Sequence, residues 1–194
     1  MENELTVVGA MSNVSINENV CVFIGGGGST EISICKNGKI LEMVNSNIGV
    51  THILRAFPEL TADYSTVSLD KTTEYIAKQI NFPSQKADYL ILAGGDFLLR
   101  YENAHYPVKK NTLFNSPIHP YLISYNDNRC FEEKYYHEVS LSKMKQTTPD
   151  NPNWWNGTRA MCAFTNAIAL ATETKIIIPT KISMISGIIN KLNN

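Results

Sequence analysis

The chain has 194 residues, 43% of them hydrophobic and 18% charged, with a formal net charge of −1. This fits one globular domain or a single large lobe and excludes a disordered chain. There is no basic excess to follow a nucleic-acid backbone, and the longest apolar run, 167–171, is far short of a bilayer span, so neither nucleic acid nor membrane is expected as a partner. Cys21, Cys35, Cys130 and Cys162 form no CxxC pair and no metal spacing, and no secretory leader is read at the start. Reduced thiols in a cytoplasmic protein are therefore expected.

Residues 20–24 are apolar on both faces and predict a strand buried on both sides. After a glycine run, 30–35 alternate as a second strand. Asn37-Gly38 then signals a tight hairpin, because both central residues of a type I′ turn need positive φ. Residues 40–44 return as a third strand, so the first 46 residues read as an antiparallel meander. Helices are predicted over 50–57, stopped by Pro58, and over 69–80, ended before Pro83. Residues 87–93 form another buried strand, ended by Gly94-Gly95, with a helix over 96–101. The stretch 103–136, rich in Asn, Pro and Tyr, reads as the least regular part and as a possible insertion in an otherwise single lobe spanning 1–194. A short helix over 137–145, a long buried helix over 154–172, a strand over 175–179 and a last helix over 182–192 complete the chain. Strands first, then alternating helices and strands, imply an α/β fold with a mixed sheet.

The stretch 20–34, VCVFIGGGGSTEISI, places four glycines between two strands and follows them with two hydroxyls and a carboxylate. Glycine lets backbone N–H groups approach an anion closely and reaches positive φ without strain. No Lys follows as a P-loop requires, and a strand follows where a dinucleotide fingerprint requires a helix. A phosphate-binding turn and a plain bulged hairpin remain as the two readings. Gly94-Gly95, between a strand and a helix, is a second candidate for anion contact, or an ordinary loop.

Gly26-Gly27-Gly28-Ser29-Thr30-Glu31 resembles the DIGGGSTE phosphate motif of the exopolyphosphatase/guanosine pentaphosphate phosphohydrolase (Ppx/GppA) family. The segment ENELTVVGA from Glu2 resembles that family's EARLIYLGV segment. NSNIGVTHILRAFP, LILAGGDFLL and the stretch from Arg159 onward follow in the family's order. The resemblance implies the second ribonuclease-H-like lobe of an actin-like ATPase fold, with a mixed sheet, a three-strand meander and helices on both faces. It implies a phosphoanhydride hydrolase that releases terminal phosphate from polyphosphate or guanosine pentaphosphate with Mg²⁺. Glu2 would be the catalytic base, while Gly26, Gly27, Gly28, Ser29 and Thr30, with Gly94 and Gly95, would hold phosphate. Glu31 would stand near the metal. Phosphoryl transfer needs such positioning, a metal to offset charge and one group to orient water.

The chain departs from that pattern at chosen points. Ile24 stands where the motif carries Asp, and an Ile side chain orients neither metal nor water. Gly25 stands where the motif carries Ile, and Ile185-Ser186-Gly187 replaces a closing Arg-Glu-Gly. No DIGTNS-type segment precedes Glu2, so one wall of a two-walled cleft is expected. The alternative function is accordingly a degenerate, non-catalytic phosphate-binding or dimerisation domain, working as a homodimer or with a complementary lobe. Glu2 is then a solvated terminal acid. His52, His105, His119 and His137 are expected in surface or capping roles. Arg159 is expected in a helix-face salt bridge or reaching a phosphate, and Trp154 and Trp155 in the core or a dimer interface.

Overall fold

The computed structural model describes residues 2–114 and 116–182. A seven-stranded sheet runs in the order β3-β2-β1-β4-β7-β6-β5. Its strands are β1 (Val20–Gly25), β2 (Thr30–Lys36), β3 (Lys39–Ser46), β4 (Tyr89–Ala93), β5 (Lys109–Lys110), β6 (Tyr121–Ser124) and β7 (Ile176–Pro179). The central trio β1-β4-β7 is parallel, and the antiparallel meander β1-β2-β3 extends one side. β6 and β5 extend the other side, also antiparallel. The β2–β3 turn is built as its sequence requires, with Asn37 at φ 50° and Gly38 at φ 73°.

The helices are α1 (Glu2–Ala10), α2 (Val50–Ala56), α3 (Leu69–Ala77), α4 (Phe97–Asn103), α5 (Tyr125–His137), α6 (Leu141–Gln146) and α7 (Thr158–Thr172). They divide between the two faces of the sheet. On one face Phe23, Ile32 and Leu92 pack with Ile53, Ile76, Tyr135, Phe164 and Ile168 from the α2–α7 side. On the other, Val20, Val22, Ile24 and Ile91 pack with Val7 and Ala10 of α1 and with Phe114 and Ile182. Alternate residues of β1 thus serve two cores, which is why 20–24 is apolar throughout. α7 lies in the larger core and is buried along almost its whole length.

Three expectations change. Residues 2–10 form a helix, not part of a meander; Leu5, Val7 and Val8 give too irregular an apolar spacing to announce one. The 103–136 stretch is regular from Tyr121 onward, where β6 joins the sheet and α5 buries Asn128, Glu132, Tyr135 and Tyr136 on one face. Tyrosine in that stretch is core material: the Tyr106 ring stacks on Tyr101 and Phe131 at centroid distances of 4.1 and 4.2 Å. Trp154 and Trp155 lie in a 3-10 turn, Pro152–Gly157, and α7 begins only at Thr158. The helix expected over 182–192, and Ile185-Ser186-Gly187 within it, lie outside the described residues. Among the described residues no helix is long and apolar enough to cross a membrane.

Candidate functional site

β1 leaves the sheet centre toward β2, whereas β4 leaves toward the opposite edge, so a crevice opens at their carboxyl ends. Such reversal points are where open α/β sheets hold ligands. Gly25, Gly26 and Gly27 from the end of β1 meet Gly94 and Gly95 from the end of β4 there, around a cavity of 340 Å³. The two glycine motifs read separately in the sequence therefore share one site.

The glycine turn is anchored from below. The Gly26 amide donates to Ser29 O at 3.0 Å, closing the turn. The Gly26 and Gly27 carbonyls accept from the Val50 and Thr51 amides at 3.1 and 2.9 Å, so the loop itself caps α2. A Cβ on Gly49 would lie 2.6 Å from Gly26 O, so the chain before α2 lies flat against the turn. The Thr30 hydroxyl is buried and donates to Ile48 O at 2.7 Å. With the carbonyls turned inward, Gly27 and Gly28 stand exposed, and their amides find no backbone acceptor among the described residues. Exposed, unpaired backbone amides in a turn are groups an anion can use, and they stand here without the positive φ expected of the glycine run. Ser29 sits half-buried beside them.

The second loop contributes shape through Gly94 and, at Gly95, one more amide with no backbone acceptor among the described residues. Gly94 has φ 85°, and a Cβ there would meet Ile24 Cγ2 at 2.6 Å. Its amide is spent on Ile182 O at 2.8 Å. Asp96 caps α4, its Oδ1 accepting from the Leu99 amide at 3.0 Å, and its Oδ2 lies 3.2 Å from Lys181 Nζ.

Arg100 at the cavity is paired through its terminal nitrogens, while its Nε has no hydrogen-bond partner among the described residues. Arg100 is 1% exposed, and its guanidinium lies 3.4 Å from Glu132 Oε1 and donates to Thr158 O at 3.3 Å. Burial pushes the Glu132 carboxyl up to about 7, against the opposing pull of Arg100 and the hydrogen bonds from its neighbours. Asn166 donates to the other Glu132 oxygen. Sequence reasoning missed this pair; the signal was Asn128, Glu132 and Tyr135 at helical spacing on α5.

Glu31 and Ile24 lie on a different face. Ile24 is 8% exposed and packs in the α1-side core with Val7 and Ala93. Glu31 is directly opposite Ile24 across the β1–β2 pair, hence on the same face, and is likewise 8% exposed. Glu2 is the first residue of α1, the helix that covers this face. Among the described residues no three His, Cys, Asp or Glu side chains gather as a metal site.

Two further expectations are corrected. His119 is fully buried, its Nε2 2.8 Å from Ala10 O and its Nδ1 2.9 Å from Ser116 Oγ. Burial lowers its pKa to about 4. Arg159 makes no ion pair among the described residues: it is buried and donates to the carbonyls of Leu60, Ala62, Asp63 and Val139 at 2.5–3.1 Å, tying loops together. His52 does cap, its Nδ1 accepting from the Gly49 amide at 3.2 Å, and Trp155 is core.

No family model matches the chain, and no curated protein does. Solved structures do. A Ppx/GppA family member from Aquifex aeolicus superposes with a TM-score of 0.69 over 100% of this chain and 63% of its own, at 16% identity. An exopolyphosphatase from Cytophaga hutchinsonii gives 0.73 over 98% and 62%, at 17% identity. An exopolyphosphatase-like protein gives 0.69 over 98% and 65%, at 15% identity. The chain thus spans 62–65% of the length of these structures. The chain has the fold of the Ppx/GppA exopolyphosphatase structures, with a mixed seven-stranded sheet, as its glycine motif implied.

Proposed function

We propose that the chain is a Ppx/GppA-like phosphate-binding lobe that holds the terminal phosphate of polyphosphate or guanosine polyphosphate and does not by itself hydrolyse it. The observation that carries this reading is Ile24. Where the resembled motif has a carboxylate, this chain has an apolar side chain, 8% exposed and packed among Val7, Val22 and Ala93. The exposed Gly27 and Gly28 amides and the Ser29 hydroxyl supply the phosphate contacts. Thr30 shapes the turn through Ile48 O, and Gly94 does so through its positive φ.

Magnesium, in this reading, arrives with the phosphate. Glu31 is the one carboxylate placed opposite Ile24, and Ile24 brings no oxygen to join it, so the described residues do not fit an ion held by the protein alone. The partner that closes the open side is a second copy or a complementary lobe.

A second reading keeps hydrolysis. It is favoured by Glu31 lying on the face that α1 covers and by Glu2 opening that helix, with Glu2 as base for the attacking water. The two readings separate in one experiment. Tripolyphosphate and guanosine pentaphosphate are titrated calorimetrically into the chain with Mg²⁺, and phosphate release is followed for wild type, Glu2→Ala and Ile24→Asp. Binding without release in the wild type is expected. Release that vanishes in Glu2→Ala would establish the hydrolase instead, and absence of binding would remove both.

A further inference from the structure

We infer that Asn37 is a site of covalent modification, where the Gly38 backbone nitrogen closes on the Asn37 side chain and the residue ends as aspartate or isoaspartate. The sequence carries Asn-Gly twice, at Asn37-Gly38 and at Asn156-Gly157. Ring closure needs a following residue with no side chain in the way, a backbone nitrogen free to attack and a backbone free to turn. Glycine meets the first need in both places. The fold decides the other two, and it decides them differently.

Asn37 and Gly38 form the two-residue tip between β2 and β3, exposed together with Lys36 and Lys39 on either side. The Gly38 amide has no backbone acceptor among the described residues, and a Cβ on Gly38 would meet nothing within 4 Å. Asn37 holds φ 50° and must leave that conformation for the ring to close. At an exposed tip this requires only fraying of the last pair, Lys36 opposite Lys39. The attacking nitrogen carries negative charge, and the two neighbouring ammonium groups favour that form.

Asn156-Gly157 has the same two residues in a closed setting. Asn156 is half-buried in the 3-10 turn Pro152–Gly157, its Oδ1 is buried, and its Nδ2 donates to Asn153 Oδ1 at 3.4 Å. A Cβ on Gly157 would lie 2.9 Å from Val50 Cγ1, so the backbone there is packed on a neighbouring helix. Turning it would unseat Thr158, Arg159 and Ala160, the buried first turn of α7.

The chemistry needs only water. Gly38 N bonds to Asn37 Cγ, the bond from Cγ to the side-chain nitrogen breaks, and that nitrogen leaves as ammonia with the proton from the Gly38 amide. Water then opens the cyclic imide. Cleavage at Cγ gives aspartate, which tolerates positive φ and keeps the turn. Cleavage at the main-chain carbonyl gives isoaspartate, whose extra backbone atom a two-residue tip cannot hold in register.

The test incubates the full chain in mildly alkaline buffer, native and in guanidinium chloride, and follows both Asn-Gly peptides by mass spectrometry. Isoaspartate is measured by methyl transfer from S-adenosylmethionine with an isoaspartyl methyltransferase. In the native protein Asn37 is expected to convert on the order of tenfold faster than Asn156, and denaturant should bring the two rates together. Asn37→Gln, whose longer side chain closes a ring far more slowly, should remove the native isoaspartate signal. The wild-type comparison stands even if that variant folds poorly. Equal native rates, faster conversion at Asn156, or a rate ratio that denaturant leaves unchanged would overturn the inference, as would an Asn37 peptide that never gains the mass of amide-to-acid exchange.

Discussion

Gly49→Ala should damage the glycine turn from beneath without touching it chemically. Gly49 has φ −139°, a conformation open to alanine, so the effect is purely one of space. The new methyl would lie 2.6 Å from Gly26 O, 2.7 Å from Ser29 N and 2.8 Å from Gly27 C, all backbone atoms that cannot rotate away. Relief to ordinary contact separates the two segments by about 0.8 Å, enough to break the 3.1 and 2.9 Å bonds from Val50 and Thr51. Two lost hydrogen bonds at about 1 kcal/mol each, with overpacking of about 1 kcal/mol or more, give a loss of about 2–4 kcal/mol. For a chain of this length the midpoint of thermal unfolding should fall by roughly 5–15 °C. Urea unfolding of wild type, Gly49→Ala and Gly28→Ala measures it. Gly28 is the control, since a Cβ there meets nothing within 4 Å and should change stability by less than about 0.5 kcal/mol. A Gly49→Ala variant as stable as Gly28→Ala would refute the account of how the loop is held.

The buried Arg100–Glu132 pair predicts non-additivity. Arg100→Met alone strands a buried carboxyl and should cost about 3–5 kcal/mol, whereas Arg100→Met with Glu132→Met should recover most of that in chemical unfolding. His119, held near pKa 4 in the fold against about 6.5 unfolded, binds fewer protons when native. Its contribution is full above about pH 6.5 and is lost as pH falls toward 4. His119→Gln should flatten the stability–pH curve across that window. Cys21, Cys35 and Cys162 are buried with thiols pushed upward, those of Cys35 and Cys162 to about 12, while Cys130 is exposed. Native protein titrated with a thiol reagent should therefore show one fast-reacting cysteine, abolished by Cys130→Ser.

Local signals reached most of the sheet and the two glycine loops, but not what brings those loops together. β1, β2, β3, β4 and β7 announced themselves through apolar runs and Asn37-Gly38, because strand and turn chemistry act over a few residues. α1 and α5 did not. The apolar side of α5 is made of Tyr, Asn and Glu, which look polar until Arg100 and Asn166, distant in sequence, satisfy them. The glycine run was legible as a turn, either phosphate-binding or a plain bulged hairpin. Gly49, which holds that turn, looked like any loop glycine, since its reason lies in an approach to Gly26. Ile24 stood out as a departure from a motif, and its place in the α1-side core needed the fold.

The carbonyls of Gly26 and Gly27 that cap α2 also give the site a built-in messenger. Each peptide unit carries its N–H and the preceding C=O on one rigid, polarisable plane. A charge held by the Gly27 or Gly28 amide deepens the negative end of the same plane, the carbonyl of Gly26 or Gly27. The Val50 and Thr51 protons on those carbonyls should then shift downfield in an amide spectrum and exchange more slowly with deuterium. Occupancy of the glycine turn can thus be read on a neighbouring helix, at two protons that no ligand touches.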